Sequence, residues 1–189
     1  EQPGVEEIGR QSPSLGAELA EAQDAGVHGE PDKLRAQIVC QLATPPRTDS
    51  LAAMIRVVTL NLNGIRSAAR KGWLDWVAAQ RADVLCVQEL KAHDADLDDS
   101  LRRVGGLRGH FHFAGKKGYS GVGLYSKRAP RAVRTGFGNE EFDGEGRYIE
   151  ADFGSFTAVS IYLPSGSSSE ERQQAKFRFM DCFLPHLVE

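Results

Sequence analysis

Hydrophobic and polar positions after residue 53 alternate in a way that predicts strands and helices in turn. Residues 55–60 and 84–88 are short apolar runs, and the second has the continuous aliphatic character of a strand covered on both faces. Apolar residues at helical spacing predict two helices, and Asp94 or Asp96 could cap the second one. The helical positions are Trp73, Leu74, Trp76 and Val77, then Leu97, Leu101 and Val104.

Beyond residue 109 the hydrophobic period changes to two, which predicts strands. Five segments separated by Gly and Pro show this pattern: 110–114, 121–126, 132–135, 147–153 and 156–163. The last element is again a helix, because Ser168 and Glu171 form a capping box ahead of an apolar helical face. That face contains Phe177, Met180, Phe183, Leu184 and Leu187.

Polar side chains stand where the first two strands end. Asn61 follows the first strand, and Gln88 and Glu89 follow the apolar run of the second. Because a strand–helix–strand order implies parallel neighbours, we expect Asn61 and Glu89 to lie side by side at the carboxyl edge of the sheet, where ligands bind in open α/β sheets. An amide and a carboxylate suit a hard cation such as Mg²⁺. Solvated polar groups at a strand end are the alternative.

Residues 1–53 differ from the rest of the chain in composition. They contain none of the fifteen aromatic residues and carry 4 Lys and Arg against 9 Asp and Glu. Such a segment buries too little apolar surface to offset the entropy of ordering it. We therefore expect 1–53 to be a disordered extension, with at most a short helix near 32–42, and 54–189 to form the folded domain. The frequent acidic residues argue against a targeting peptide.

Hydropathy and cysteine content indicate a soluble, cytoplasmic protein. No apolar run approaches the roughly 18 residues that a membrane span requires. The three cysteines are odd in number and lack metal-binding spacing, which favours a reducing compartment. Cys86 lies within the second apolar run, so we expect it to be a core residue and not a reactive thiol.

A long basic stretch is the second functional signal. No acidic residue lies between Asp99 and Glu140, and nine cations there have no counter-charge in the same stretch. They are Arg102, Arg103, Arg108, Lys116, Lys117, Lys127, Arg128, Arg131 and Arg134. The segment G-K-K-G-Y-S-G-V-G within it offers cations, hydroxyls and backbone amides, the groups that contact phosphates. A nucleic-acid surface is one interpretation, and solvated loops with lysines that protect strand edges are the other.

Five motifs between residues 59 and 167 carry a family resemblance. They are T-L-N-L-N-G-I-R at 59–66, D-V-L-C-V-Q-E-L-K at 83–91, G-Y-S-G-V-G-L-Y-S-K at 118–127, E-G-R-Y-I at 145–149 and Y-L-P-S-G-S at 162–167. In this order they resemble the exodeoxyribonuclease III family of abasic-site endonucleases, within the endonuclease/exonuclease/phosphatase superfamily. The motifs G-I-R, G-Y-S-G-V-G and E-G-R distinguish this DNA-repair branch from the phosphatases of the superfamily. The resemblance covers 54–189 and none of 1–53.

The resemblance implies a role for each matching residue. Glu89 would be the metal-binding carboxylate, Asn61 would support the metal through water, and Tyr162 would be the catalytic tyrosine beside the scissile phosphate. Asn63 and Lys91 match positions that hold the metal carboxylate. The implied metal is Mg²⁺, with Mn²⁺ as the alternative. The DNA-binding positions are Arg66, Gly118, Tyr119 and Arg147, joined by Lys116 and Lys117 from the basic stretch.

The second part of the family pattern does not occur in the sequence. It consists of an Asn-x-Ala-His element, a Gly-Asp-Phe/Leu-Asn turn with the water-activating Asp, and a Ser-Asp-His terminus. The implied fold is the first half of a four-layer, DNase I-like α/β sandwich: a mixed sheet with helices on one face and the second sheet missing. We therefore expect a large exposed apolar patch or partial disorder. His186 receives no role.

The function implied by the resemblance is Mg²⁺-dependent hydrolysis of DNA phosphodiesters in base-excision repair, as an abasic-site endonuclease and 3′→5′ exonuclease, by a chain that is incomplete. The expected partner is double-stranded DNA with abasic sites or 3′ ends, with no membrane and no obligate protein partner. Two alternatives stay open. One is a catalytically inactive DNA-binding fragment, and the other is a superfamily phosphatase that acts on a non-DNA phosphoester.

Overall fold

Two β-sheets and the helices on either side of them organise the chain, in a computed structural model that describes residues 36–38, 55–166 and 169–188. The strands are β1 (Ala36–Ile38), β2 (Val57–Asn61), β3 (Val84–Gln88), β4 (Arg103–Val104), β5 (Leu107–His112), β6 (Val122–Ser126), β7 (Ala132–Thr135), β8 (Tyr148–Asp152) and β9 (Thr157–Ile161). The helices are α1 (Ile65–Arg70), α2 (Trp73–Gln80), α3 (Asp99–Arg102), α4 (Glu140–Asp143) and α5 (Glu170–His186). All of these elements lie in the unit Leu34–Glu189.

The first sheet is mixed and has the strand order β1-β2-β3-β6-β5-β4. β2 and β3 run parallel, with Asn61 opposite Gln88, whereas β6 is antiparallel to β3. The predicted strand–helix–strand start with parallel neighbours is therefore confirmed. One face of this sheet is covered by α1 and α2, whose buried Ile65, Trp73 and Val77 share a core with Leu85 and Val87 of β3.

A second, three-stranded antiparallel sheet covers the other face of the first sheet. Its order is β7-β8-β9. Ile149 and Ala151 of β8 pack against Cys86 of β3 and Leu124 of β6. The prediction that the second sheet is missing is wrong, because the hydrophobic period does not reveal to which sheet a strand belongs. The mixed first sheet and the α/β class are confirmed.

Helix α5 lies on the outer face of the second sheet, which gives four layers. Its Phe179 and Phe183 are buried against Phe142 and Tyr148. The expected exposed sheet face is thus covered where β8 and β9 pack. The exposed large apolar side chains of α5 and the turn after it are Phe177, Leu184, Leu187 and Val188.

Several predicted element ends differ in the structure. The helix predicted from Leu97 onward is the short α3, and its cap is Asp98, which accepts a hydrogen bond from the backbone of Leu101, and not Asp94 or Asp96. Val104 belongs to β4. Helix α5 is capped by Ser169, whereas the predicted cap, Ser168, lies outside the described residues.

The predicted extension 1–53 is described at residues 36–38 alone, where β1 pairs antiparallel with β2. The short helix that the sequence allows near 32–42 does not form at these three residues, because they pair as a strand with β2. The rest of 1–53 and the domain boundary lie outside the described residues and stay predictions. Within the described ranges, no helix is both long and apolar enough to cross a bilayer.

Candidate active site

The alternation of side chains along β9 brings Tyr162 to the carboxyl edge of the first sheet. Residues two apart on a strand face the same side, so Ser160 and Tyr162 both point toward the first sheet. The hydroxyl of Ser160 donates to the carbonyl of Val87 over 3.2 Å. The hydroxyl of Tyr162, two residues on, donates to Oε1 of Glu89 over 3.0 Å.

The Glu89 carboxylate is the centre of a hydrogen-bonded group. Oε1 also accepts from Nδ2 of Asn61 at 2.6 Å, and Oε2 pairs with Nζ of Lys91 at 2.8 Å. Only 16% of the Glu89 side chain is exposed. The two residues expected to lie side by side, Asn61 and Glu89, are therefore in direct contact.

A further set of hydrogen bonds holds Asn61 and Lys91 in place. The backbone N–H of Asn63 donates to Oδ1 of Asn61 at 3.0 Å, and Nζ of Lys91 donates to Oδ1 of Asn63 at 2.5 Å. Through its backbone N–H and its side-chain oxygen, Asn63 thus orients two of the three residues that contact Glu89. These contacts fit the supporting positions that the family resemblance implies for Asn63 and Lys91.

Three of these residues have left-handed backbone conformations. The φ angle is 56° at Glu89, 48° at Lys91 and 47° at Asn63. Asparagine tolerates this region, whereas glutamate and lysine adopt it at a cost of order 1–3 kcal/mol each. Backbone bonds that continue the β2–β3 pairing hold the turn, such as Gly64 N–H to the carbonyl of Glu89 at 2.7 Å. Stored strain of this kind clusters at functional sites.

The surroundings of Glu89 and Tyr162 set their protonation states. Burial raises the pKa of Glu89, but hydrogen bonds from Lys91, Asn61 and Tyr162 and the lysine charge outweigh it, so its pKa lies below the ordinary value. Burial and the adjacent Glu89 charge raise the pKa of Tyr162 to about 12. The site therefore pairs an ionised carboxylate with a protonated phenol at neutral pH.

Gln88 points between the two sheets. Its Nε2 donates to Oγ1 of Thr59 at 3.1 Å and to Oγ of Ser160 at 3.3 Å. The amide that ends the second apolar run therefore connects β2, β3 and β9. Nearby, burial raises the pKa of Cys86 to about 12, which agrees with its predicted place in the core.

The lone pairs of the Glu89 carboxylate decide whether it can hold a metal ion. A carboxylate has about four acceptor positions, and the three donors to Glu89 leave one of them, on Oε2. Mg²⁺ keeps several waters and commonly uses one or two carboxylates plus substrate phosphates. Among the described residues no group of three or more His, Cys, Asp and Glu could hold an ion. Glu89 therefore keeps one acceptor position, on Oε2, at which it could hold an ion.

A second group of side chains adjoins the first through Arg147. This arginine is 2% exposed and donates to the carbonyl of Tyr162 at 2.9 Å and to the hydroxyl of Tyr119 at 2.9 Å. Its guanidinium also lies 5.2 Å from the Tyr162 ring centre and pairs with Glu145. Arg147 therefore links Tyr119, in the loop 115–121, to Tyr162 of the site. Its contact with DNA stays a prediction.

The other predicted DNA-binding residues lie around this loop and α1. Lys116 stands 5.7 Å from the Tyr119 ring centre, and Gly118 has a φ of 72°. Arg66 of α1 pairs with Asp96 at 3.1 Å. The pKa of Asp96 is lowered, first by the backbone N–H of His93 and then by the charges of Arg66 and Lys117.

The basic stretch does not form one uncompensated surface. Lys127, Arg102 and Arg134 have acidic partners from outside the stretch, namely Asp83, Asp94 and Glu150. The expectation of nine cations without a counter-charge is wrong in this respect, because the fold supplies carboxylates from distant segments. Lys116 and Lys117 precede the end of β6 that pairs with Gln88, whereas Lys127 and Arg128 follow its opposite end.

Three contributors to the site were not assigned from the sequence. Glu145 pairs with Arg147, Ser160 accepts from Gln88, and Arg172 of α5 donates to the Tyr119 hydroxyl at 3.0 Å. Glu145 could have been inferred from the motif E-G-R, in which it lies two residues before Arg147. No pattern connects Arg172 with Tyr119, because 53 positions separate them.

Comparison with known proteins gives a consistent family. The family model described as "Endonuclease/Exonuclease/phosphatase family" matches residues 58–186. The chain is 38% identical over 122 residues to the Danio rerio protein named "DNA repair nuclease APEX1", covering 63% of this chain and 39% of that one. It is 31% identical over 136 residues to the Bacillus subtilis protein named "Exodeoxyribonuclease", covering 71% and 53%. The chain thus spans about half or less of the length of these relatives.

Solved structures give the same fold. The AP endonuclease from Archaeoglobus fulgidus superposes with a TM-score of 0.62 at 28% identity, over 71% of this chain and 51% of that one. The catalytic domain of Xenopus laevis APE2 superposes with a TM-score of 0.55 at 27% identity, over 67% and 51%. The structural similarity covers a share of the chain close to that covered by the sequence similarity.

Proposed function

Because this chain belongs to the endonuclease/exonuclease/phosphatase family, we propose that its site takes part in metal-dependent hydrolysis of DNA phosphodiesters in base-excision repair. The observation that carries the proposal is the ionised Glu89, held between Asn61, Tyr162 and Lys91 at the edge where the two sheets meet. The printed names of the relatives, a DNA repair nuclease and an exodeoxyribonuclease, support the DNA substrate. An AP endonuclease among the structural neighbours supports the abasic site as the position of cleavage.

In the proposed mechanism, the side chains bind and orient the reacting phosphate. Glu89 would hold a Mg²⁺ ion, with Mn²⁺ as a substitute, and Asn61 would bind a water of that ion. The ion would supply neutralisation of charge on the phosphate oxygens. Tyr162 keeps its proton, since the pKa of its phenol is raised to about 12. That single O–H donates to Oε1 of Glu89 in the structure, and it would have to turn from Glu89 to donate to an oxygen of the scissile phosphate.

Lys91 has a supporting part in this mechanism. Its ammonium pairs with Oε2 of Glu89 and donates to Oδ1 of Asn63, so it keeps the carboxylate ionised and correctly turned. Water activation is assigned to none of the described residues. The proposed contribution of this chain is therefore the half of the site that holds the metal and the phosphate.

DNA is favoured over a small phosphoester by the loop next to the site. Lys116, Lys117 and Tyr119 precede the end of β6 that adjoins Gln88. Two neighbouring cations beside an aromatic ring can contact successive phosphates of a DNA strand. A small phosphoester offers only one phosphate. Lys116 and Lys117 are exposed, so their ammonium groups are open to such a strand.

The test uses a chain extended to the length of its relatives and compares three substrates in Mg²⁺ and in EDTA: an abasic duplex, an intact duplex with a recessed 3′ end, and a small aryl phosphate. Metal-dependent incision of the abasic duplex supports the full proposal. Salt-sensitive binding of DNA without any cleavage would assign the chain to DNA binding alone. Turnover of the aryl phosphate with DNA untouched would instead indicate a phosphatase.

A further inference from the structure

Three cations surround the ring of Tyr119, in the loop between β5 and β6. The distances to the ring centre are 5.7 Å from Nζ of Lys116, 5.7 Å from Cζ of Arg147 and 5.9 Å from Cζ of Arg172. Each lies within the range in which a cation is attracted to an aromatic ring. Three separate segments of the chain therefore meet at the Tyr119 ring.

The hydroxyl of Tyr119 also has three partners, all of them hydrogen-bonded. It accepts from Arg147 at 2.9 Å and from Arg172 at 3.0 Å, and it donates to Oε1 of Glu145 at 3.4 Å. A phenol hydroxyl offers one donor and two acceptor positions, so all its capacity is used. Tyr119 would accordingly meet a ligand with its ring and its loop backbone, not with its hydroxyl.

The loop that carries Tyr119 is bonded to the segment that carries Glu89. The backbone N–H of Lys91 donates to the carbonyl of Ser120 at 2.9 Å, and that of Leu90 donates to the carbonyl of Gly121 at 3.0 Å. A Cβ at Gly121 would lie 3.1 Å from Cβ of Leu90, which shows how closely the two segments approach. The segment that carries Tyr119 and the turn at Glu89 are therefore hydrogen-bonded directly to each other.

The two arginines at Tyr119 are held very differently. Arg147 is buried and also bound to Glu145 and to the Tyr162 carbonyl, so its position is fixed without Tyr119. Arg172 is exposed and stands in the first turn of α5, where the helix dipole disfavours a cation. Its bond to Tyr119 offsets that unfavourable location and ties α5 to the loop.

We propose that Arg172 is a positioning residue, which holds the Tyr119 ring against Arg147 and so fixes the loop 115–121 beside Glu89 for a DNA strand. The inference rests on the proposed DNA function and deepens it, because it names how the strand-binding loop is held. Arg172 acts through Tyr119 and does not itself contact the reacting phosphate. Without it, Lys116 and Lys117 would occupy a wider range of positions.

The first arm of the test is a double-mutant cycle of affinity for an abasic duplex, using Arg172→Gln, Tyr119→Leu and both together. Arg172→Gln should weaken binding about tenfold in the wild-type background, since one charged hydrogen bond and one cation–π contact are lost. In the Tyr119→Leu background the same change should weaken it less than about twofold, because residues that act together are not additive. Arg178→Gln is the matched control, since Arg178 lies on α5 and pairs with Glu141.

The slope of log affinity against log salt concentration distinguishes a positioning residue from one that contacts DNA directly. A phosphate contact made by Arg172 would contribute about 0.9 to that slope, and Arg172→Gln would lower it by that amount. A positioning residue leaves the slope unchanged. Additive effects in the cycle together with a lower slope would overturn the proposal.

The second arm needs no DNA. Hydrogen exchange at the amides of 116–119 should be faster in Arg172→Gln than in the wild type, and unchanged in Arg178→Gln. Equal exchange in all three proteins would overturn the proposal. If the wild-type chain does not bind DNA at all, the proposed function fails, and the exchange result still decides whether Arg172 holds the loop.

Discussion

Tyr162 donates a hydrogen bond to Oε1 of Glu89 over 3.0 Å, and this bond joins the second sheet to the end of the first. Tyr162 follows β9 and Glu89 follows β3, and 73 positions separate them. The bond forms because β9 lies over β3 and its inward residues face that strand. The site therefore depends on how the two sheets are stacked as well as on either motif.

The state of the Tyr162 phenol is directly testable. In metal-free protein, ultraviolet titration of wild type minus Tyr162→Phe should show one phenol that ionises near pH 12, because burial and the Glu89 charge disfavour the phenolate. A raised folded-state pKa means that this group stabilises the fold below pH 10, and that the contribution is lost as pH rises from about 10 to about 12. If the phenol that Tyr162→Phe removes ionised near pH 10, the result would contradict the hydrogen bond to Glu89.

Removal of the Glu89 charge tests the metal site. Mn²⁺ should bind the wild-type chain with a paramagnetic signature that Glu89→Gln weakens at least about tenfold, since Gln keeps the size and loses the charged ligand. DNA affinity should change less than about threefold, because it comes from distributed basic contacts. Glu141→Gln is the control, as Glu141 pairs with Arg178 on the surface. Equal Mn²⁺ binding by all three proteins would remove Glu89 from the metal site.

Catalysis provides a stricter version of the same test. In a chain extended to the length of its relatives, Glu89→Gln should lower single-turnover cleavage of an abasic duplex by two orders of magnitude or more, because the metal neutralises transition-state charge. In the 189-residue chain the same change should alter turnover little, since groups that act as a unit are not additive. Strong metal-dependent cleavage by the 189-residue wild type would contradict the assignment of half a site.

Much of the first sheet could be predicted from the sequence, because its signals are local. The run Val84–Gln88 has the continuous apolar pattern of a covered strand, and the structure gives the same bounds. The parallel pairing that brings Asn61 to Glu89 follows from one helical segment between two strands. The motif resemblance likewise gave the family and the residues gathered at Glu89.

The second sheet and the charge pairing could not be predicted, because both depend on distant segments. Alternation along β8 shows that Ile149 faces a core, but not which core. Lys127 appeared uncompensated within its stretch, yet Asp83 meets it across 44 positions at the start of β3. Arg172 was missed for the same reason, since a contact with Tyr119 has no spacing rule.

Asp83 ties three central strands together at the end of the sheet opposite Glu89. Its carboxylate accepts from the backbone N–H of Arg56 at 2.9 Å and from Nζ of Lys127 at 3.0 Å. The hydrogen bond from Arg56 and the charge of Lys127 hold the pKa of Asp83 below its usual value, although partial burial raises it. The stabilisation is therefore present above about pH 4 and is lost as pH falls through the lowered folded-state pKa.

Asp83→Asn should accordingly lower the free energy of unfolding by about 1 kcal/mol at pH 7, a small value because solvent screens this half-exposed pair. The difference from wild type should vanish toward pH 2. Urea unfolding at several pH values measures both, with Asp181→Asn of α5 as a surface control. A difference that persists unchanged at low pH would show that the loss is not electrostatic.

The positions of the cations relative to β6 lead to a prediction about DNA binding. Lys116 and Lys117 precede the end of β6 that adjoins Gln88, whereas Arg128 and Arg131 follow the opposite end. Replacing Lys116 and Lys117 by Ala should weaken duplex binding and lower the slope of log affinity against log salt by about 1.8, or about 0.9 for each lost phosphate contact. The matched pair Arg128→Ala and Arg131→Ala removes the same charge far from the site, so its slope should equal that of the wild type. If the two double variants changed the slope equally, DNA would be attracted by overall charge, and the loop beside Glu89 would have no special part in binding.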